Sequence, residues 1–264
     1  MLLSIITPTF KRLNYIKINY KYFLKNLHLA NDYEWIIVVE NTDFKSIAYI
    51  NSLKKINIKL LRGNFKSADK ALYYGIKAAK GKYINFHGDD DFFYEGSLSK
   101  ILKHLNSNYA WIVGYGKYIN ENFKEIRFLT TYIKIFLTKN YNKKMLVLVN
   151  FLMTPSIFFR KDLFLSLRLF LPKKRSASDY IAWLKLNKFY MPKILNTHLT
   201  YCSIFKQTIT GKFSIDKYLY IYKEQRKFSE KNKILIFFQS IFILIIIIYN
   251  LFSKRLNIKL NIKQ

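Results

Sequence analysis

The chain has a single cysteine, Cys202, which excludes an intrachain disulfide and every disulfide-stapled scaffold. A lone thiol of this kind reads as a small buried hydrophobe rather than a nucleophile. Acids are scarce as well: 16 Asp+Glu face 45 Lys+Arg, a formal net charge of +29. That balance points to anionic partners such as nucleic acid, a phosphorylated ligand or an anionic membrane surface. The abundance of Lys, Ile, Asn, Phe and Tyr is also what AT-rich coding produces, so charge sign alone decides little. No internal repeat and no low-complexity linker divides the sequence. The N-terminus MLLSIITPTFKR lacks the basic n-region and small-residue cleavage site of a signal peptide, so the cytoplasm is the expected compartment. His87, His104 and His198 have no ligand spacing, which argues against a zinc site.

Hydrophobic residues make up 51% of the chain, enough for a sizeable core. The first hundred residues alternate strand and helix signals. Apolar runs at Leu2 to Phe10, Tyr33 to Asn41, INIKLLRG and KYINFHG read as buried strands. YIKINYKYFLKNL, FKSIAYINSLKK and Ser67 to Gly81 have helical spacing, with Ser67 as N-cap. Buried strands separated by helices predict an α/β fold, with a mainly parallel sheet covered on both faces. Further along, YAWIVGYGKYIN and EIRFLTTY read as strands, KKMLVLVNFLM as a helix, and Ser176 to Phe189 as an amphipathic helix.

Ligands of such sheets bind beyond the carboxyl ends of the strands. There the sequence places KYINFHGDDDFF, with Asp89, Asp90 and Asp91 side by side. Adjacent like charges raise one another's pKa. A divalent cation, Mg²⁺ or Mn²⁺, would relieve that repulsion with oxygen ligands and would bridge to substrate phosphates. The plainer reading is a solvated turn that caps the helix beginning near Glu95.

Four segments in this order resemble the family-2 glycosyltransferases, which have the GT-A fold: SIITPTFKR, WIIVVENTD, ADKALYYGIKAAKGKYINFHGDDD and ASDYIAWLKL. The resemblance covers roughly residues 2–212 and implies a Rossmann-like GT-A domain. It implies a nucleotide-sugar half over 1–105 and an acceptor half over 106–212; beyond it, residues 213–264 read as a C-terminal helical membrane-associating segment. On this resemblance Pro8, Thr9, Phe10 and Arg12 lie near the donor, and Glu40 stands where an acid meets the base or ribose. Asp69 resembles an acid near the donor. Asp89, Asp90 and Asp91 occupy the DxD region, aligned either as Asp89 with Asp91 or as Gly88 to Asp90 with Asp91 as the extra acid; they are the implied metal and diphosphate contacts. Asp179 matches the catalytic base of an inverting transfer, against the plain alternative of an acid at a helix N-terminus. TPSIFFRKDLF resembles an acceptor-side segment, with Thr154 in place of a His. Lys206 stands where an Arg approaches the diphosphate. VENTD replaces the family's longer acidic turn, and Tyr73 replaces an Asn.

The expected activity is therefore an inverting, metal-dependent transfer from a nucleotide-diphosphate sugar, with UDP as the first choice, to a glycan or lipid-linked hydroxyl. Ile234 to Phe252 carries no formal charge over 19 residues, with lysines before it and Lys254 and Arg255 after. It reads as a membrane-associating helix that spans the bilayer, lies in its interface or packs in the protein core. With the positive charge, it suggests work at the inner face of the cytoplasmic membrane on a surface polysaccharide, lipopolysaccharide or capsule. A nucleotidyltransferase would share much of this pattern, but TPTFKRLNY lacks the glycines of a phosphate loop. A membrane-tethered nucleic-acid-binding protein would use the lysines but has no need of clustered acids, so nucleic acid is not an expected partner. The oligomeric state is open.

Overall fold

The computed structural model describes residues 1–29, 31–169, 177–204, 215–229, 232–241, 244–245 and 248. Strands β1 (Leu3–Thr9), β2 (Tyr33–Glu40), β3 (Ile58–Gly63) and β4 (Tyr83–Phe86) alternate with helices α1 (Leu13–Leu24), α2 (Phe44–Ser52) and α3 (Ala68–Ala78). The order β3-β2-β1-β4 is parallel throughout. These strands read as unbroken apolar runs because both faces are buried. Ile6, Ile36, Val38 and Ile84 turn to one side and pack with Ala71 and Ile76 of α3. Leu3, Ile5, Ile37 and Val39 turn to the other and meet Ile16 and Phe23 of α1 and Ile47 and Ile50 of α2. Each such side chain contributes about 1.5–3 kcal/mol on leaving water. Gly75 lets α3 sit close: a Cβ there would lie 2.4 Å from Ile6 Cγ2. Caps fix the helix starts, Asp43 accepting from Ser46 N at 3.3 Å and Ser67 from Lys70 N at 3.3 Å.

The second half holds β5 (Phe92–Phe93), α4 (Ser97–Leu105), β6 (Trp111–Ile119), β7 (Glu125–Ile126), α5 (Phe128–Lys139), α6 (Lys143–Leu148), β8 (Ile157–Arg160), α7 (Lys161–Ser166), α8 (Ser178–Phe189), β9 (Lys193–Ser203) and α9 (Ile215–Phe228). It extends the same sheet as β4-β8-β6-β9-β5, with β7 beside β6. Here the expectation of a mainly parallel sheet is corrected. β8 runs antiparallel to β4 and β6, and β5–β9 and β6–β7 are antiparallel, while β6–β9 is parallel. The sheet is mixed. Buried Asn85 holds the seam, donating to the carbonyls of Pro155 and Ile157 at 2.9 Å each.

Two segment readings are also corrected. EIRFLTTY is a strand only over Glu125–Ile126, after which the chain enters α5. Phe128, Leu129, Tyr132, Ile133 and Phe136 recur at helical spacing, and that period outweighs their β-branched and aromatic composition. KKMLVLVNFLM is helical only over Lys143–Leu148: Val149 turns extended, and residues 149–153 form no regular element.

Residues 233–241 are helical. Leu235 enters the core, while Ile234, Phe237 and Phe238 stand exposed. Gln239, one of the few polar members of that stretch, is buried: it donates to Val147 O at 3.2 Å and accepts from Ser229 Oγ at 2.9 Å. Among the described residues no helix is long and apolar enough to cross a membrane. Residues 249–252 of the apolar run lie outside the described residues.

Candidate active site

The carboxyl ends of β1, β2 and β4 supply most of the site. Leaving β1, Lys11 takes a left-handed φ of 57°, and its N–H donates to Asp43 Oδ2 at 2.6 Å. That contact pins the first turn to the start of α2. Arg12 then turns back beneath β4. Its Nη1 lies 2.8 Å from Asp89 Oδ1 and its Nη2 2.7 Å from Asp90 Oδ2. Asp89 also accepts from Thr9 Oγ1 at 2.7 Å. Burial pushes the Asp89 carboxyl up to about 7, with Arg12 pulling against that rise.

The three neighbouring acids therefore do not aim at one point. Asp89 and Asp90 are held by Arg12, whereas Asp91 turns into an adjacent cleft of about 660 Å³. Asp91 accepts from the backbone N–H of Gly88 at 3.2 Å and of Ser203 at 3.3 Å. Burial, and then the charge of Asp90, hold its carboxyl well above the usual carboxylate range. A Cβ on Gly88 would lie 2.6 Å from Asp91 Oδ2, so the glycine makes room for this turn. Among the described residues no three His, Cys, Asp or Glu side chains gather as a metal-holding group.

The opposite wall comes from α3 and α8. Ala177 at φ 68° redirects the chain into α8. Ser178 Oγ donates to Asp69 Oδ2 at 2.6 Å, and Thr154 Oγ1 donates to Asp179 Oδ2 at 2.6 Å. Asp69, Asp91, Thr154 and Asp179 all line the one cleft, as does Pro8. Burial raises the Asp69 carboxyl; the Ser178 hydroxyl lowers it and the Asp179 charge raises it further.

Several expected residues sit elsewhere. Glu40 accepts from the N–H groups of Phe65 at 3.0 Å and Lys66 at 2.7 Å, so it fastens the end of β2 to the loop before α3. Phe10 stands exposed. Lys206 lies outside the described residues. His87 is buried, and burial pushes it down to about 3, so it is neutral; its ring stacks on Phe93 at 4.4 Å. Cys202 is buried, and burial drives its thiol upward.

Lys134 of α5 had no sequence signal. It lines the cleft with the three carboxylates and donates to the carbonyls of Asn150 and Leu152 at 3.3 Å each. Burial lowers its ammonium to about 8, while Cys202 and Asp179 pull the other way. The period of α5 would have put it on the inward face, had the helix been recognised.

The family profile described as glycosyl transferase family 2 matches residues 4–167. No curated protein sequence matches the chain. Among solved structures, TarS 1-349 of S. aureus in complex with UDP-GlcNAc is similar at a TM-score of 0.66 and 18% identity, over 85% of this chain and 66% of that one. The mannosyltransferase PcManGT of Pyrobaculum calidifontis, in complex with GDP-Man and Mn²⁺, is similar at 0.60 and 12% identity, over 90% of this chain and 72% of that one. This chain spans just under two thirds of the TarS 1-349 fragment and 39% of the longer TarS chain. At these identities the likeness establishes the fold, which is GT-A.

Proposed function

Because the chain belongs to glycosyl transferase family 2, we propose that it transfers a sugar with inversion from a nucleotide-diphosphate donor to a hydroxyl, with Asp179 as the base. One observation carries the reading. Asp91, at the end of β4, and Asp179, at the start of α8, face the same cleft, although 88 residues separate them in sequence. Had they pointed to opposite sides of the molecule, one carboxylate could not serve the departing diphosphate while the other served the incoming alcohol.

In the proposed step the Asp179 carboxylate accepts the proton of the acceptor hydroxyl. That oxygen forms a bond to the anomeric carbon as the bond from that carbon to the diphosphate breaks, and the electron pair leaves with the nucleoside diphosphate. Thr154 Oγ1 donates to Asp179 Oδ2 and the Tyr180 N–H to Oδ1 at 2.8 Å, so both oxygens are held in place, and the base would use a remaining lone pair. Asp91 is an oxygen donor whose carboxyl is held above the usual carboxylate range by burial first and by the charge of Asp90 second. It suits Mg²⁺ or Mn²⁺, which commonly take one or two protein carboxylates together with substrate phosphates. Such an ion would supply positive charge to the leaving diphosphate. Lys134 adds a protein cation in the same cleft.

The TarS likeness makes a UDP-sugar the first donor to test, and the PcManGT likeness a GDP-sugar the second. The apolar, cation-flanked C-terminal stretch supports a lipid-linked acceptor at a membrane face. The test is release of nucleoside diphosphate from a panel of nucleotide sugars with Mn²⁺ or Mg²⁺, comparing wild type with Asp179→Asn. Asparagine still accepts from Thr154, so donor binding should persist while turnover drops by about 10²–10⁴-fold. Transfer at the wild-type rate would remove Asp179 from the role of base.

A further inference from the structure

We infer that the outer face of α5 docks on an anionic lipid bilayer. The helix is built inside out for a water-soluble surface. Its inward face is largely polar: Thr131 and Thr138 are buried and Lys134 reaches the carbonyls of Asn150 and Leu152, while Leu137 packs on the core. Its outward face carries Phe128, Leu129, Tyr132, Ile133 and Phe136, each between 46% and 73% exposed. A surface helix of a globular protein normally shows the reverse arrangement.

The charges around this face choose the occupant. No acidic residue occurs from Arg127 through Lys144, and Arg127, Lys139 and Lys144 are exposed. An apolar face framed by cations is the pattern of a helix lying in a bilayer interface, with its aromatic side chains at the acyl boundary and its basic residues on anionic headgroups. A second copy of the chain fits poorly, because two such patches would bring the same cations together on molecules that each carry +29. Since Lys134, on the inward face of the same helix, lines the cleft, docking would hold the cleft one helix diameter, ~10 Å, from the lipid surface. The inference deepens the proposed lipid-linked acceptor but does not need the transfer chemistry.

Full-length protein is co-sedimented with vesicles of phosphatidylglycerol mixed with phosphatidylcholine, and with phosphatidylcholine alone, in the absence of nucleotide sugar. Phe128→Ser combined with Tyr132→Ser and Phe136→Ser should lower partitioning to the anionic vesicles at least tenfold. Ile234→Ser with Phe238→Ser serves as the control for the C-terminal helix. In the Leu129→Trp variant, brominated phosphatidylglycerol should quench fluorescence, because the native Trp35, Trp111 and Trp183 are fully buried and out of reach of the lipid. Quenching no greater than in wild type on bound vesicles would overturn the inference. So would unchanged partitioning of the triple serine variant, or a dimer in solution that the triple substitution dissolves. No vesicle experiment involves sugar transfer, so failure here leaves the enzymatic reading intact, and an inactive enzyme that still docks leaves this one intact.

Discussion

Replacing Arg12 with methionine removes the cation held between Asp89 and Asp90 while keeping much of the apolar stem. The guanidinium reaches the two carboxylates at 2.8 and 2.7 Å, and the Asp89 side chain is 4% exposed. Breaking a buried pair by deleting one partner costs about 3–5 kcal/mol. With 26% of the Arg12 side chain exposed, water can partly replace it, which puts the cost at the lower end, about 3 kcal/mol. For a chain of this size that corresponds to a melting temperature lower by about 6–12 °C. The loss should also depend on pH in a defined direction. Burial already raises the Asp89 carboxyl to about 7, and removing Arg12 raises it further. A carboxyl raised on folding binds its proton more tightly in the folded than in the unfolded state. The unfolded state is common to both proteins, so the variant's deficit is full above its own raised folded pKa and shrinks as pH falls, its Asp89 part vanishing below the wild-type folded value of about 7. Thermal unfolding followed by circular dichroism at pH 8 and pH 5 measures both effects. Adding Asp89→Asn to the Arg12→Met background should restore at least half of the loss. A shift below about 2 °C, or a deficit equal at the two pH values, would refute the claim that Arg12 neutralises this buried acid.

Asp91→Asn keeps one acceptor oxygen, so only one of the Gly88 and Ser203 N–H groups, which donate to different oxygens of Asp91, retains its partner; the loss costs about 1–3 kcal/mol and the fold should still hold. Calorimetric titration of UDP with and without Mn²⁺ should then show the metal-dependent gain in affinity reduced tenfold or more, and an undiminished gain would take Asp91 out of metal binding. Lys134 is charged below about 8 and neutral above it, so kcat/KM for the donor should fall as pH rises through that value. Lys134→Met should abolish this alkaline limb and raise KM for the donor more than it lowers kcat. A limb that persists in the variant belongs to another group.

The half of the fold that sequence reveals best is the half where burial on both faces leaves little choice. In β1 and β2 consecutive residues such as Ile5 and Ile6, or Ile36 and Ile37, serve opposite cores, so the run is apolar without alternation and reads as a buried strand. The acids beyond β4 follow from the same logic. β9 was harder to read: Lys193–Ser203 mixes Leu195 and Leu199 with Asn196, Thr197 and His198, because exposed and half-buried positions interleave along it. Its pairing with β6 shifts register near Tyr115, so no regular period survives in sequence. The α5 segment misled for the opposite reason. Its apolar face points outward, so apolar residues there do not mark the core, and Lys134 lies on its inward face.

Position along the chain locates a backbone, and the neighbours then decide where each side chain goes. Glu40 and Asp89 occupy places where the family resemblance implies donor contacts, yet both carboxylates are taken up by the protein itself, Glu40 by the N–H groups of Phe65 and Lys66 and Asp89 by Thr9 and Arg12. The three adjacent aspartates show how a basic chain can keep such a cluster. Two share one arginine whose stem starts in the turn after β1, and that arrangement fixes the backbone so that the third faces the cleft, held by two N–H donors. Arg12 thereby limits the repulsion to what a single cleft carboxylate must bear. Arg12 offsets part of the cluster's cost at Asp89, whose carboxyl burial still raises to about 7, while Asp91, also raised, is the one that faces the cleft.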